Sequence, residues 1–314
     1  MSRLRLEPAR RGYRFLRKRA KRTWSHIWLA GLRVRNRLSS APVRGQVPVI
    51  VSLTSYGSRV DTVAYAIESI GAGRARPQRL ILWLDDPDQF RDRPVALRRL
   101  EARGLEVRLT EDLGPHKKYF PALPVALEDG VALATADDDT LYPRYWLARL
   151  AEAARRRPEA VHCYRASVVE LDGDQLAPYD RWPRCQDTVA SLARFATGVS
   201  GVWYPPAMLA ALHRRGTDFL RYVPRADDIW LHWVAVRSGF RIRQLSRVPR
   251  HFPYIPGTQT HTLVQENVAG GGNDRLLAGL YEASDIAALA GALAAEGAAG
   301  VRPAVPSRGT AGTR

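Results

Sequence analysis

Three adjacent carboxylates, Asp137-Asp138-Asp139, follow directly on the apolar run Gly130-Val131-Ala132-Leu133-Ala134. Like charges at the end of a buried strand repel one another and lose hydration, so something must compensate them. A divalent cation does so well, because Mg²⁺ prefers carboxylate oxygens and commonly carries a substrate's phosphates with it. The ordinary alternative is an exposed acidic turn ahead of a helix. Two further clusters bear on the choice. Only four of the 48 basic residues are lysines, and two of those form the pair Lys117-Lys118, which suits a diphosphate as well as it suits a solvated loop. Asp227-Asp228 opens an apolar helical stretch, where acids cap free N–H groups; either could also serve as a general base, since a cap fixes its carboxylate in place.

The elements that must position these groups alternate. Val47–Leu53, Arg79–Leu84, Leu105–Leu109, Gly130–Ala134 and Ala160–Tyr164 read as strands. Helices are expected over Val60–Ile70, Pro94–Arg103, Phe120–Leu127 and Arg144–Arg156, with another over Ala226–Arg237 before a short strand at Arg241–Leu245. That order predicts an α/β fold with a mostly parallel sheet and helices on both faces. Ligands of such sheets lie beyond the carboxyl ends of the strands. Thr54-Ser55-Tyr56, Asp85-Asp86 and the triplet all fall there, which favours a site over three unrelated turns. Phe195 to Pro206 is rich in small residues and permits close backbone approach to a ligand, or simply a tight bend.

The net charge of +17 is unevenly placed: residues 1–45 hold fourteen Lys or Arg against Glu7 alone, leaving about +4 for the rest. Tyr13, Leu16, Ala20, Trp24, Ile27, Trp28 and Gly31 recur at helical spacing within this arm. A basic helix with Trp on its apolar side suits an anionic membrane surface better than nucleic acid, which leaves the apolar stripe without a use; a solubilising or packing helix is the other alternative. Its longest apolar run, Trp24 to Leu32, is too short to span a bilayer. Cys163 and Cys185 make neither a disulfide framework nor a C-x-x-C site, as expected in a reducing compartment. The expected organisation is a basic amphipathic arm (1–45), one catalytic domain (46–282) and an Ala/Gly-rich end (283–314) with a fraying helix and a disordered tail.

In this order, Ser52-Leu53-Thr54-Ser55-Tyr56, Leu82-Trp83-Leu84-Asp85, Lys117-Lys118-Tyr119, Ala136–Pro143, Thr197–Gly201, Ala226–Trp230, and Asn267 with Asn273-Asp274 resemble bacterial glycosyltransferases of the GT-A fold (family 2-like) that act in cell-surface polysaccharide synthesis. The resemblance covers Val47 to Tyr281. It implies a metal-dependent inverting transferase with a Rossmann-like sheet, using Mn²⁺ or Mg²⁺. Thr54, Ser55, Tyr56, Arg59, Asp85, Lys117, Lys118, Asp137 and Asp138 would hold the nucleotide-sugar donor, a UDP-sugar by this likeness. Asp137 and Asp139, as Asp-x-Asp, with His251, would hold the metal. Asp227-Asp228 matches a pair that is more often Glu-Asp and supplies the base, with Asp228 favoured. A glycan or lipid-linked acceptor and a peripheral place at the cytoplasmic face of the cell membrane complete the expectation. The alternatives are a nucleotidyltransferase on a similar sheet and a non-enzymatic membrane- or carbohydrate-binding protein.

Overall fold

The computed structural model describes residues 23–259 and 272–298. A first helix, α1, covers residues 23–38. Strand β1 (Val47–Thr54) is followed by α2 (Val60–Gly71), β2 (Pro77–Leu84), α3 (Pro87–Arg91), α4 (Val95–Glu101), β3 (Leu105–Leu109), α5 (Leu123–Glu128), β4 (Ala132–Thr135), α6 (Trp146–Arg156) and β5 (Val161–Cys163). Short strands β6 (Ala166–Val168), β7 (Leu171–Asp172), β8 (Gln175–Leu176), β9 (Ala190–Ser191) and β10 (Arg194–Ala196) precede β11 (Val202–Tyr204), α7 (Pro206–Arg214), α8 (Phe219–Tyr222), α9 (Asp227–Arg237) and β12 (Ile242–Gln244). The last described elements are α10 (Gly272–Leu280) and α11 (Ala283–Ala298).

The central sheet has eight strands in the order β3-β2-β1-β4-β11-β5-β12-β9. β1, β2, β3 and β4 are mutually parallel and β5 is parallel to β12, whereas β11 runs antiparallel between β4 and β5. Alternation along each strand divides the core into two layers, because successive side chains point to opposite faces. Val49, Val51, Leu53, Leu80, Leu82 and Ala134 pack with α2 and α6 on one face. Ile50, Ile81 and Leu133 pack with α5, α7 and α9 on the other. Each fully buried Val, Leu or Ile contributes about 1.5–3 kcal/mol, so these layers dominate the stability. The expected α/β architecture is the observed one.

Both ends of the described chain are docked onto this body. Glu68, fully buried in α2, accepts a bidentate pair from Arg103 at 2.7 and 2.9 Å and a bond from Asn36 of α1, with Arg35 of α1 at 2.9 Å. At the other end Asp285 of α11 accepts from Trp233 and Arg237 of α9, and Glu296 pairs with the buried Arg194 at 2.6 Å. A fraying helix is expected in this stretch; residues 283–298 form a helix, tied to the body by these bonds and by buried Leu289. The expected tail beyond it lies outside the described residues, as do Tyr13, Leu16 and Ala20 of the arm and Asn267. Cys163 and Cys185 are both free and buried. Among the described residues no single helix is long and apolar enough to cross a membrane.

Candidate active site

The carboxyl ends of β1, β2, β3 and β4 open onto one cavity of about 550 Å³. Thr54, Tyr56 and Arg59 enter from the end of β1, Asp85 follows β2, Asp112 follows β3, and Asp137, Asp138 and Asp139 follow β4. Lys117 and Lys118 reach it from the 3₁₀ turn Gly114–Lys118, and Val199, Arg225, Tyr254 and Gln259 close it from the second half of the chain. Register fixes the relation of the first and fourth strands: Ser52 pairs with Thr135, and the Ala136 amide donates to the Ser52 carbonyl at 3.1 Å. The Ser55 and Asp138 side chains thereby meet, and the Ser55 hydroxyl donates to Asp138 Oδ2 at 2.8 Å.

The three acids of the triplet do different work. Asp138 is buried and held by Ser55 and by Arg59, whose guanidinium is 3.1 Å away. Asp139 accepts from Gln259 at 2.8 Å and Thr140 at 3.1 Å, and Arg59 stands 3.5 Å from it. Asp137 accepts from the Ser200 amide at 3.2 Å, with the Lys118 ammonium at 3.7 Å. Burial pushes the Asp137 carboxyl up to about 6; Lys118 opposes the rise and Asp139 adds to it. Asp138 is likewise raised, by burial first, against the pull of Arg59.

The Ser200 amide reaches Asp137 because the turn before β11 is contorted. Ser200 sits at φ 72°, a left-handed conformation unusual for a residue with a side chain, and Gly201 follows at φ 100°. A Cβ on Gly201 would lie 2.8 Å from the Trp146 ring, so only glycine fits. Trp146 Nε1–H donates to the Ser200 carbonyl at 2.8 Å, which locks the turn in place.

Lys118 joins this cluster to a second one. Its ammonium lies 3.2 Å from Asp227 Oδ2 at the start of α9. Burial would depress the lysine, but Asp227 and Asp137 outweigh it and hold the ammonium charged. Asp228, next along, accepts from the Ile229 amide at 3.0 Å and is pushed up to about 7, by burial first and by Asp227 second. The turn carrying the lysines is itself tied to α8 and the residue after it, just ahead of α9. His116 is stacked on Phe219 with ring centroids 4.1 Å apart, and its Nε2 lies 2.8 Å from the Val223 carbonyl. A carbonyl only accepts, so Nε2 carries the proton and Nδ1 accepts from the Tyr119 hydroxyl at 3.0 Å. Burial holds this histidine neutral by lowering its pKa. Lys117 is enclosed between Asp85 and Asp112, the latter at 2.8 Å.

Of the residues singled out from sequence, Thr54, Tyr56, Arg59, Asp85, Lys117, Lys118 and Asp137–Asp139 line the cavity, Ser55 supports it, and Asp227 adjoins it through Lys118. His251 is exposed, with Nε2 2.7 Å from the Tyr254 hydroxyl. Among the described residues no three His, Cys, Asp or Glu side chains converge as a metal-binding set, so Asp137, Asp139 and His251 do not form one. The chemistry of the remaining donors nonetheless suits a hard cation: two carboxylates spaced i, i+2 leave coordination positions for water and phosphate oxygens, the way Mg²⁺ is commonly held. Sequence reading passed over Asp112, Arg225, Tyr254 and Gln259. Asp112 was recoverable from the rule that ligands gather beyond strand ends; the other three carry no local signal.

No family model matches this chain, and no curated protein matches it. Solved structures do. Residues 1–349 of TarS from S. aureus are 16% identical, covering 66% of this chain and 59% of that one, with a TM-score of 0.44. The same TarS segment in complex with UDP is 17% identical over 80% of this chain and 72% of that one, with a TM-score of 0.48. Mannosyltransferase PcManGT from Pyrobaculum calidifontis, in complex with GDP-Man and Mn²⁺, is 19% identical over 91% and 86%, with a TM-score of 0.44. The chain spans 59% of the length of the first of these structures.

Proposed function

We propose that the protein transfers a sugar from a nucleoside diphosphate to an acceptor hydroxyl, with inversion at the anomeric carbon and with Mn²⁺ or Mg²⁺ as cofactor. The observation that carries this reading is the charge arrangement around the cavity. Five carboxylates (Asp85, Asp112, Asp137, Asp138, Asp139) line it with four cationic side chains (Arg59, Lys117, Lys118, Arg225), and Asp227 adjoins it through Lys118. An anionic diphosphate enters such a site only with a further cation, and Asp137 with Asp139 are the groups to hold it. When bound, that cation offsets charge on the leaving diphosphate. Lys118, charged and buried, adds a fixed positive group at the same end of the cavity.

The acid pair at α9 supplies the base. Asp227 is committed to Lys118 by an ion pair at 3.2 Å, whereas Asp228 has no cationic partner within salt-bridge distance among the described residues. A carboxylate raised to about 7 is a far better proton acceptor than one near 4 and is still ionised in part at neutral pH. In this scheme Asp228 takes the acceptor hydroxyl proton as that oxygen bonds to the anomeric carbon. The bond from that carbon to the diphosphate breaks and its electron pair leaves with the diphosphate.

The test is turnover of a panel of nucleoside-diphosphate sugars with Mn²⁺ or Mg²⁺, followed by NMR of the product. The expected result is loss of turnover in excess EDTA and an inverted anomeric configuration. Undiminished turnover in EDTA would overturn the cation's part, a retained configuration the assignment of Asp228. Pyrophosphate release from a nucleoside triphosphate and a sugar phosphate would instead mark a nucleotidyltransferase.

A further inference from the structure

Helix α1 has two faces of opposite use. Ser25, Leu29, Leu32 and Asn36 are buried, with Leu29 and Leu32 packed on Ala66, Leu141 and Ile255. On the far side Trp24 is 59% exposed, Ile27 61%, Val34 54% and Leu38 80%. These four positions, with Gly31 between them, follow the spacing i, i+3, i+7, i+10, i+14, which confines them to a stripe roughly 80° wide. One helix thus carries four of the ten large hydrophobic side chains that stand exposed among the described residues. Isolated exposed apolar residues need no explanation, but an aligned row does.

The surrounding charge selects the occupant. No acid occurs between Glu7 and Asp61, while thirteen Lys or Arg do, Arg33 and Arg37 among them on α1 itself. A second copy of this helix would bring an equally basic surface against the first, a like-charge contact that opposes pairing. An anionic lipid surface satisfies both halves of the pattern, taking the apolar stripe at the level of the headgroups and the arginines against its phosphates. We infer that the outward face of α1 seats in the interface of an anionic bilayer. The inference is independent of the chemistry proposed above. It has a geometric corollary, since Ile255 packs beneath α1 and its amide donates to the Asp139 carbonyl at 2.6 Å. The lipid-facing helix and the acidic triplet are therefore parts of one packed unit.

Flotation of the full-length protein with vesicles of phosphatidylcholine and phosphatidylglycerol (7:3), in low salt, tests this. The wild type should float with these vesicles and at least tenfold less with pure phosphatidylcholine. The variant Trp24→Ser/Ile27→Ser/Val34→Ser/Leu38→Ser keeps every charge, and it should lose at least tenfold in partitioning with an unchanged melting temperature. Equal flotation of variant and wild type would overturn the inference, because the charge alone would then suffice. A wild-type dimer that the variant converts to monomer, without vesicle binding, would overturn it in favour of a second copy. A variant melting several degrees lower would overturn it by showing the stripe to be covered within the chain.

Discussion

Replacing Asp228 by Asn separates its proposed catalytic role from its structural cost. The unfolded carboxyl releases its proton near 3.8, but in the fold it does so only at about 7. Between those values the folded chain holds a proton the unfolded chain has lost. This group's stability is therefore complete below about 4 and is lost as pH rises through 7. At ~1.36 kcal/mol per unit the full penalty above pH 7 is on the order of 4 kcal/mol, of which ~1.5 is already present at pH 5. Solvent reaches part of the side chain and screens it, so we take ~2 kcal/mol as the further loss between pH 5 and pH 8. Asn does not titrate, and its oxygen can still accept from the Ile229 amide. Asp228→Asn should therefore melt higher than wild type, by ~4–8 °C more at pH 8 than at pH 5. Turnover should fall by about 10²–10⁴ with donor affinity little changed, as for loss of a group used only in the transition state. The assay is calorimetry at the two pH values beside steady-state kinetics on one preparation. The same stability gain at both pH values would refute the assigned proton affinity, and near-normal turnover would refute the base.

Two perturbations bear on the scaffold. Gly201→Ala places a Cβ 2.8 Å from Trp146 at φ 100°, so it should destabilise by ~2–4 kcal/mol and disturb the Ser200 amide that meets Asp137; a melting temperature within 1 °C of wild type, at ~2–4 °C per kcal/mol, would contradict this. Asp285→Ala leaves Arg237 and Trp233 without their buried acceptor and should cost ~2–4 kcal/mol in denaturant unfolding. An unchanged midpoint would mean that α11 contributes nothing to the body it packs on.

Most of the sheet was legible because its strands are short apolar runs punctuated by Gly, Pro or Asp, and the β3 limits agree to the residue. The site's floor was legible for the same reason: acids just past a buried strand have nowhere else to go. Its roof was not. Gln259 binds Asp139 across 120 positions, and nothing near Gln259 in sequence marks that bond. The arm misled in a different way. Spacing alone places Trp24, Ile27 and Trp28 on one face, but Trp28 is half-buried at the edge of the docked side while Trp24 and Ile27 face outward. The docked face uses Ser25 and Asn36, polar residues that hydropathy discards; Asn36 donates to the buried Glu68. His251 was carried over by position alone: it stands exposed with Nε2 2.7 Å from the Tyr254 hydroxyl, and belongs to no set of three His, Cys, Asp or Glu side chains among the described residues.

Lys118 holds Asp137 on one side and Asp227 on the other, and a single ammonium cannot serve both in full once a phosphate competes for it. Any anion that draws it toward the strand ends leaves the acids of α9 less neutralised. The affinity of Asp228 for a proton then rises, because Lys118 is a charge that keeps it from climbing further. In the proposed reaction this sets an order of events: arrival of the donor would strengthen the base before an acceptor is committed. The empty protein, with its lysine still shared, has the weaker base and the least means of activating a stray water molecule.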